Sequence, residues 1–139
     1  RMSAGTGVLH SEFNHSQENG LHFLQIWIET AQRGIQPSYE QKHFPTAERQ
    51  GQWRLVLSSD GRDGSVSVNQ DVNLYASLLS AGDHLTTPPS RYAWLHVVKG
   101  AVEVNGETLR TGDAAAFTPS EDVALACTEA SEVLLFDLA

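Results

Sequence analysis

His10 and Glu12 stand two residues apart in the run Leu9-His-Ser-Glu-Phe13. On an extended backbone that spacing sends both side chains to the same side. An imidazole nitrogen and a carboxylate oxygen can then converge on one ion, and the pair suits iron, copper, nickel, manganese or zinc. Two donors do not hold a divalent ion firmly, because folded sites supply three or four. The other histidines are weaker candidates. His15 lies in the polar stretch from Asn14 to Asn19 and is expected in solvent. His22 falls on the face opposite Trp27 in a strand-like run and is expected to pack. His84 follows Gly82-Asp83 and is expected in a solvated turn. His96 shares a face with Trp94, as a packed or hydrogen-bonded histidine does. Cys127 is the single cysteine and sits in the apolar run Val123 to Cys127, so it is expected as a small buried hydrophobe rather than a reactive thiol.

The elements that would position these groups are strands. No stretch keeps apolar residues at helical spacing over three turns, while short alternating runs bounded by turn residues recur. Strands are expected at 21–28, 53–57, 65–68, 72–79, 92–98, 101–104, 107–109, 114–117, 123–127 and 133–136. Asn105-Gly106 joins two of them and fits a type I′ turn, whose central residues both need positive φ. This pattern predicts an all-β sandwich or barrel. Residues 30–45, with Gly34, Pro37 and Pro45, lack periodicity and read as a linker. The chain thus divides into an appendage (1–29), a linker (30–45) and a barrel (46–139). A lone strand in the appendage leaves its backbone groups unpaired, so it must pack on the barrel, a second chain or another domain.

Composition excludes several classes. The 139 residues carry nine Lys and Arg against seventeen Asp and Glu, a formal net charge of −8. Phosphate recognition needs clustered positive charge, so nucleic acid is not an expected partner. No apolar run approaches the ~20 residues of a membrane span, and no signal peptide is visible. One cysteine permits no intrachain disulfide, which points to a reducing, cytoplasmic setting.

Met2 to Asn14, a small-residue loop leading into His10-Ser-Glu12, resembles the signature of the pirin family. The likeness continues through Leu21 to Ile28, Pro37 to Gln41, Asp63 to Ser65, Gln70-Asp71, Leu74-Tyr75, Val97 to Gly100, Asn105-Gly106 and Val133 to Asp137. The resemblance is to bacterial pirin-like proteins with quercetin 2,3-dioxygenase activity. It implies a pair of cupin domains, each a double-stranded β-helix (jelly-roll barrel), in the complete protein. The first cupin would bind one divalent metal through three histidines and a glutamate. His10 and Glu12 match the His-x-Glu part of that set, and Glu12 is the family's candidate general base. The His-x-His part would lie upstream of residue 1. On this reading the appendage is the end of a truncated first cupin, and 46–139 is a complete C-terminal cupin. Its own ligand positions would fall near Thr87, Pro89 and Ala93 and around Val123 or Ala124, none of which binds a metal. The implied substrate is a small flavonol-like aromatic, and the chain alone is expected to be inactive. The alternative is a naturally short, non-catalytic cupin acting as a binding or regulatory module. A homodimer formed through the exposed appendage is a further expectation.

Overall fold

The computed structural model describes residues 1–86, 91–119, 121 and 123–139. Two antiparallel-rich sheets pack face to face and hold the core between them. The larger is built from β3 (Arg54–Ser58), β4 (Val66–Ser67), β5 (Val72–Leu79), β7 (Tyr92–Lys99), β10 (Ala114–Phe117) and β12 (Ser131–Leu138), in the order β10-β7-β12-β5-β3-β4. The smaller contains β6 (His84–Thr86), β8 (Ala101–Val104), β9 (Glu107–Arg110) and β11 (Ala124–Cys127), in the order β6-β11-β8-β9. A short two-stranded pairing of β1 (Met2–Ser3) with β2 (Ser38–Tyr39) stands apart from both. Helix is confined to α1 (Thr46–Arg49) and one 3-10 turn (Arg62–Gly64).

Period-two patterning explains the layers. Leu95 and Val97 on β7, Val133 and Leu135 on β12, and Leu79 on β5 point inward. They meet Val102, Val104, Leu125 and Cys127 from the smaller sheet. Most of these side chains are completely buried, and the hydrophobic gain from them is the main force holding the sheets together. The β8–β9 hairpin turns through Asn105 and Gly106 at φ 49° and 88°, as a type I′ turn requires. Cys127 is buried, and its thiol donates to the Glu129 carbonyl at 2.8 Å.

The outer face of the larger sheet is apolar as well. Register places Trp94, Phe136 and Leu74 in one row, and His96, Leu134 and Ala76 in the next. Val72, Leu74 and Ala76 are buried there although they face away from the inner core. The segment before β3 runs along the edge of β5, where Gln50 bridges to Leu78: Ser77 Oγ donates to the Arg49 carbonyl at 3.3 Å, and the Gly51 N–H donates to the Leu78 carbonyl at 2.8 Å. Arg54 stacks on the Phe44 ring at 5.2 Å. Toward β7, Trp94 and Tyr92 are exposed.

Residues 21–28 form no strand, against the expectation from their alternation. Among the described residues they pair with no strand, and a strand exists only through a partner's hydrogen bonds. His84 begins β6 rather than lying in the turn before it, though its side chain is exposed as expected.

Candidate metal half-site

The first residues are tied down firmly. Arg1 and Glu40 exchange backbone hydrogen bonds at 2.7 and 2.9 Å, which continues the β1–β2 ladder by one pair. The Arg1 guanidinium donates to the Ser67 carbonyl at 2.8 Å and to Ser38 Oγ at 2.6 Å, which clamps this ladder onto β4. Glu40 accepts from the Ser67 amide at 2.9 Å and pairs with Lys42 at 2.9 Å. The Lys42 ammonium, with the Ser67 amide and hydroxyl, holds the Glu40 carboxyl down at about 2. Gly5 passes so close to Ile35 that an added Cβ would lie 2.1 Å from the Ile35 carbonyl oxygen.

From this clamp the chain leaves as an arm and returns to a second anchor. The Ala31 N–H donates to the Asn69 carbonyl at 2.8 Å, and Gln70 Nε2 donates to the Glu29 carbonyl at 2.8 Å. His10 and Glu12 lie on the arm, both exposed, with His10 Nδ1 3.8 Å from Glu12 Oε1. The structure therefore turns both side chains the same way, as their spacing anticipates. Donors about 2.1 Å from a tetrahedral ion stand roughly 3.4 Å from each other, so a small closure would let both bind one cation. Among the described residues no group of three His, Cys, Asp or Glu could hold a metal. His15 is exposed, as expected. His22 is also exposed, because the strand that would have packed it does not form.

The barrel positions where the resemblance would put ligands carry none among the described residues. Ala93 is half-buried on the inner face, Val123 is buried and Ala124 is exposed. Thr87 and Pro89 lie outside the described residues. His96 is half-buried on the outer face, paired across to Leu134 and Ala114. Sequence reasoning missed a groove of about 370 Å³ where the arm meets the sheet. Ile26, Trp27 and Ile28 form one wall, and Val72, Phe136 and Leu138 the other. Gln70 and Asp71 stand at its rim, with Arg91 joined to Asp71 at 2.7 Å and to Asp137 at 3.0 Å. The only sequence signal for it was the run of apolar residues on outward positions of β12.

Two face-packed sheets around an apolar core, with tight Gly-bounded hairpins, define a cupin barrel. Residues 55–138 match the quercetinase C-terminal cupin domain family, and residues 1–28 match the pirin family. The chain belongs to this pirin-type family, and its barrel is the family's C-terminal cupin. The quercetin 2,3-dioxygenase of Escherichia coli K12 is 44% identical over 139 residues, which span 99% of this chain and 59% of that protein. A putative quercetin 2,3-dioxygenase of Pasteurella multocida is 41% identical over 141 residues, with the same coverage. Among solved structures, YhhW from E. coli superposes with a TM-score of 0.74 at 38% identity, covering 81% of this chain and 48% of that one. The bacterial pirin YhhW in complex with nickel(II) gives 0.70 at 39% identity, covering 78% and 47%. The chain thus spans about three fifths of the length of these curated relatives. None of the helices among the described residues is long and apolar enough to cross a membrane.

Proposed function

We propose that this chain is the C-terminal portion of a quercetin 2,3-dioxygenase-type pirin, contributing half of a mononuclear metal site. The observation that carries this reading is the His10–Glu12 pair, 3.8 Å apart on an exposed arm inside the pirin-matching segment. The remaining ligands are assigned to polypeptide outside this chain, because among the described residues no group of three His, Cys, Asp or Glu comes together. The nickel(II) complex of a pirin relative supports a divalent metal in the intact protein. The domain division follows: residues 1–29 serve the metal-binding cupin, 30–45 connect, and 46–139 form a second cupin without a site of its own.

His10 would hold the ion through an imidazole nitrogen, and Glu12 through a carboxylate oxygen. A divalent ion bound there would lower the pKa of a substrate hydroxyl that it touches. Glu12, through the carboxylate oxygen not bound to the ion, would take that hydroxyl proton, which requires hydrogen-bond reach. The relatives' names support a flavonol-type substrate. A reducing, cytoplasmic setting accords with the single buried thiol of Cys127.

The test compares this chain with the protein expressed from a reading frame extended upstream of Arg1. The expected result is stoichiometric metal and flavonol turnover in the longer protein, and neither in the 139-residue chain. His10→Ala in the longer protein should remove the metal without lowering the barrel's melting temperature. Chelator should leave the melting of the short chain unchanged. Full turnover by the short chain would overturn the reading.

A further inference from the structure

The free edge of β4 takes up both stems of the arm. β4 is the last strand of the larger sheet, so among the described residues one side of it meets no further strand. Along that side, at alternate residues, the backbone is met by groups from residues 1–42. The Ser65 carbonyl accepts from Lys42 Nζ at 2.6 Å, the Ser67 carbonyl from Arg1 Nε at 2.8 Å, and the Asn69 carbonyl from the Ala31 N–H at 2.8 Å. The Ser67 N–H donates to Glu40 Oε2 at 2.9 Å, and its hydroxyl donates to the same oxygen at 2.8 Å. Arg1 and Glu40 stand 3.5 Å apart, with side chains only 13% and 26% exposed. One ion pair thus occupies both the donor and the acceptor that a further strand would use.

This edge fixes a ribbon that could not fix itself. β1 and β2 pair over two residues each, and an isolated two-stranded ribbon is marginal in water. The planar guanidinium of Arg1 holds a fixed fork geometry. It joins Ser67 to Ser38, whose Oγ accepts from Nη1 at 2.6 Å. Ser3, buried on β1, accepts from Asn69 Nδ2 at 3.3 Å. Order continues beyond the ribbon: the Thr6 N–H donates to the Ile35 carbonyl at 3.1 Å, and the Gly7 N–H to the Ala4 carbonyl at 2.7 Å. His10 follows Gly7 by three residues, a reach of about 10 Å. The direction in which the His10–Glu12 stretch leaves the barrel is therefore set from the β4 edge.

We propose that Arg1, Glu40 and Lys42 are positioning residues for the metal site, which set where His10 and Glu12 stand by holding residues 1–7 and 35–42 on the β4 edge. This rests on the half-site reading above. None of the three is a ligand; each acts through the backbone that carries the ligands. Releasing the clamp would leave His10 and Glu12 in the chain but no longer held in place. The stretch would then have to be ordered when the ion binds, and that cost lowers affinity. The second cupin thereby takes part in the metal chemistry of the first, and segment 35–42 does more than connect the two.

The test titrates nickel(II) into the protein extended upstream of Arg1. Arg1→Ala and Glu40→Ala should each weaken nickel binding about tenfold, the lower end of what losing a group that orients metal ligands costs. The double variant should fall well short of the roughly hundredfold loss that independent sites would give, because both side chains act at Ser67. The visible bands of the bound ion should change in both variants, since they report its coordination. Arg49→Ala, which breaks a 3.1 Å ion pair with Glu132 in the barrel, should leave affinity and bands at the parent's values. Amide exchange supplies a second measurement. The Thr6, Gly7 and Ser67 amides should be slow in the parent and fast in both clamp variants, while β7 and β12 stay slow. Unchanged nickel affinity in variants whose Thr6 and Gly7 amides are freed would overturn the proposal and leave the half-site standing. So would an equal loss in Arg49→Ala, or amides that stay protected without the clamp. No nickel in the extended parent would overturn the half-site reading, and the proposal with it.

Discussion

Gly100 joins β7 to β8 at φ +88°, and the other face of its Cα has no free space. A Cβ built there would stand 2.3 Å from Ser131 Oγ, 2.4 Å from the Ala130 carbonyl oxygen and 2.8 Å from Ser131 Cα. Two of those three atoms are backbone, so a rotamer change cannot relieve the clash. Gly100→Ala therefore carries two costs. The left-handed conformation costs a residue with a Cβ roughly 1–2 kcal/mol. Moving Ser131 then strains a buried hydrogen-bond cluster. Its Oγ accepts the Ala101 N–H at 3.0 Å, and its hydroxyl donates back to the Ala101 or Glu129 carbonyl at 3.0 and 2.7 Å. Leaving one such buried group unpaired costs about 1–3 kcal/mol. The sum is roughly 2–5 kcal/mol, a large share of a typical domain's stability. Gly106 is the control. It also has φ +88°, but nothing lies within 4 Å of an added Cβ. Gly106→Ala should show only the conformational cost, about 1–2 kcal/mol. Urea denaturation of both variants measures the difference at constant m-value. If Gly100→Ala destabilises no more than Gly106→Ala, the steric part of the reasoning is wrong.

Leu95→Ala should cost about 3 kcal/mol, because Leu95 is fully buried between Leu135 and Ala115 and neither neighbour can fill the void; a urea midpoint close to the parent's would contradict it. Acid should loosen the clamp before the barrel. Glu40 has a carboxyl lowered from 4.5 to about 2, so its contribution is complete above pH 4.5 and fades as pH falls toward about 2. Hydrogen exchange of residues 1–7 and 35–40 across that window is the check, and Glu40→Gln should remove the pH dependence.

The relation between sequence and structure differs from region to region. Strands β5, β7, β8, β9 and β10 stand within a residue or so of where alternation and turn residues place them, because each has at least one sheet neighbour that rewards its pattern. The Asn105-Gly106 turn was legible for a local reason, since positive φ at two successive positions selects those residues. Residues 21–28 have an equally clear pattern and no strand. Pattern describes what a segment can bury, and the pairing must come from elsewhere. The exposure of His22 follows directly from that missing partner. The clamp at Arg1 was invisible in sequence, because its partners Ser38, Glu40 and Ser67 are separated from it by up to 66 residues.

Sequence alone determined the all-β class and the shared side of His10 and Glu12. Both depend on residue type and on a period of two, which are local properties. Only the tertiary structure decided that the arm is anchored at both stems, that the larger sheet is apolar on its outer face as well, and that a groove opens between the two. Those depend on which distant segments meet, and no local pattern encodes a meeting between Trp27 and Phe136 across more than a hundred residues.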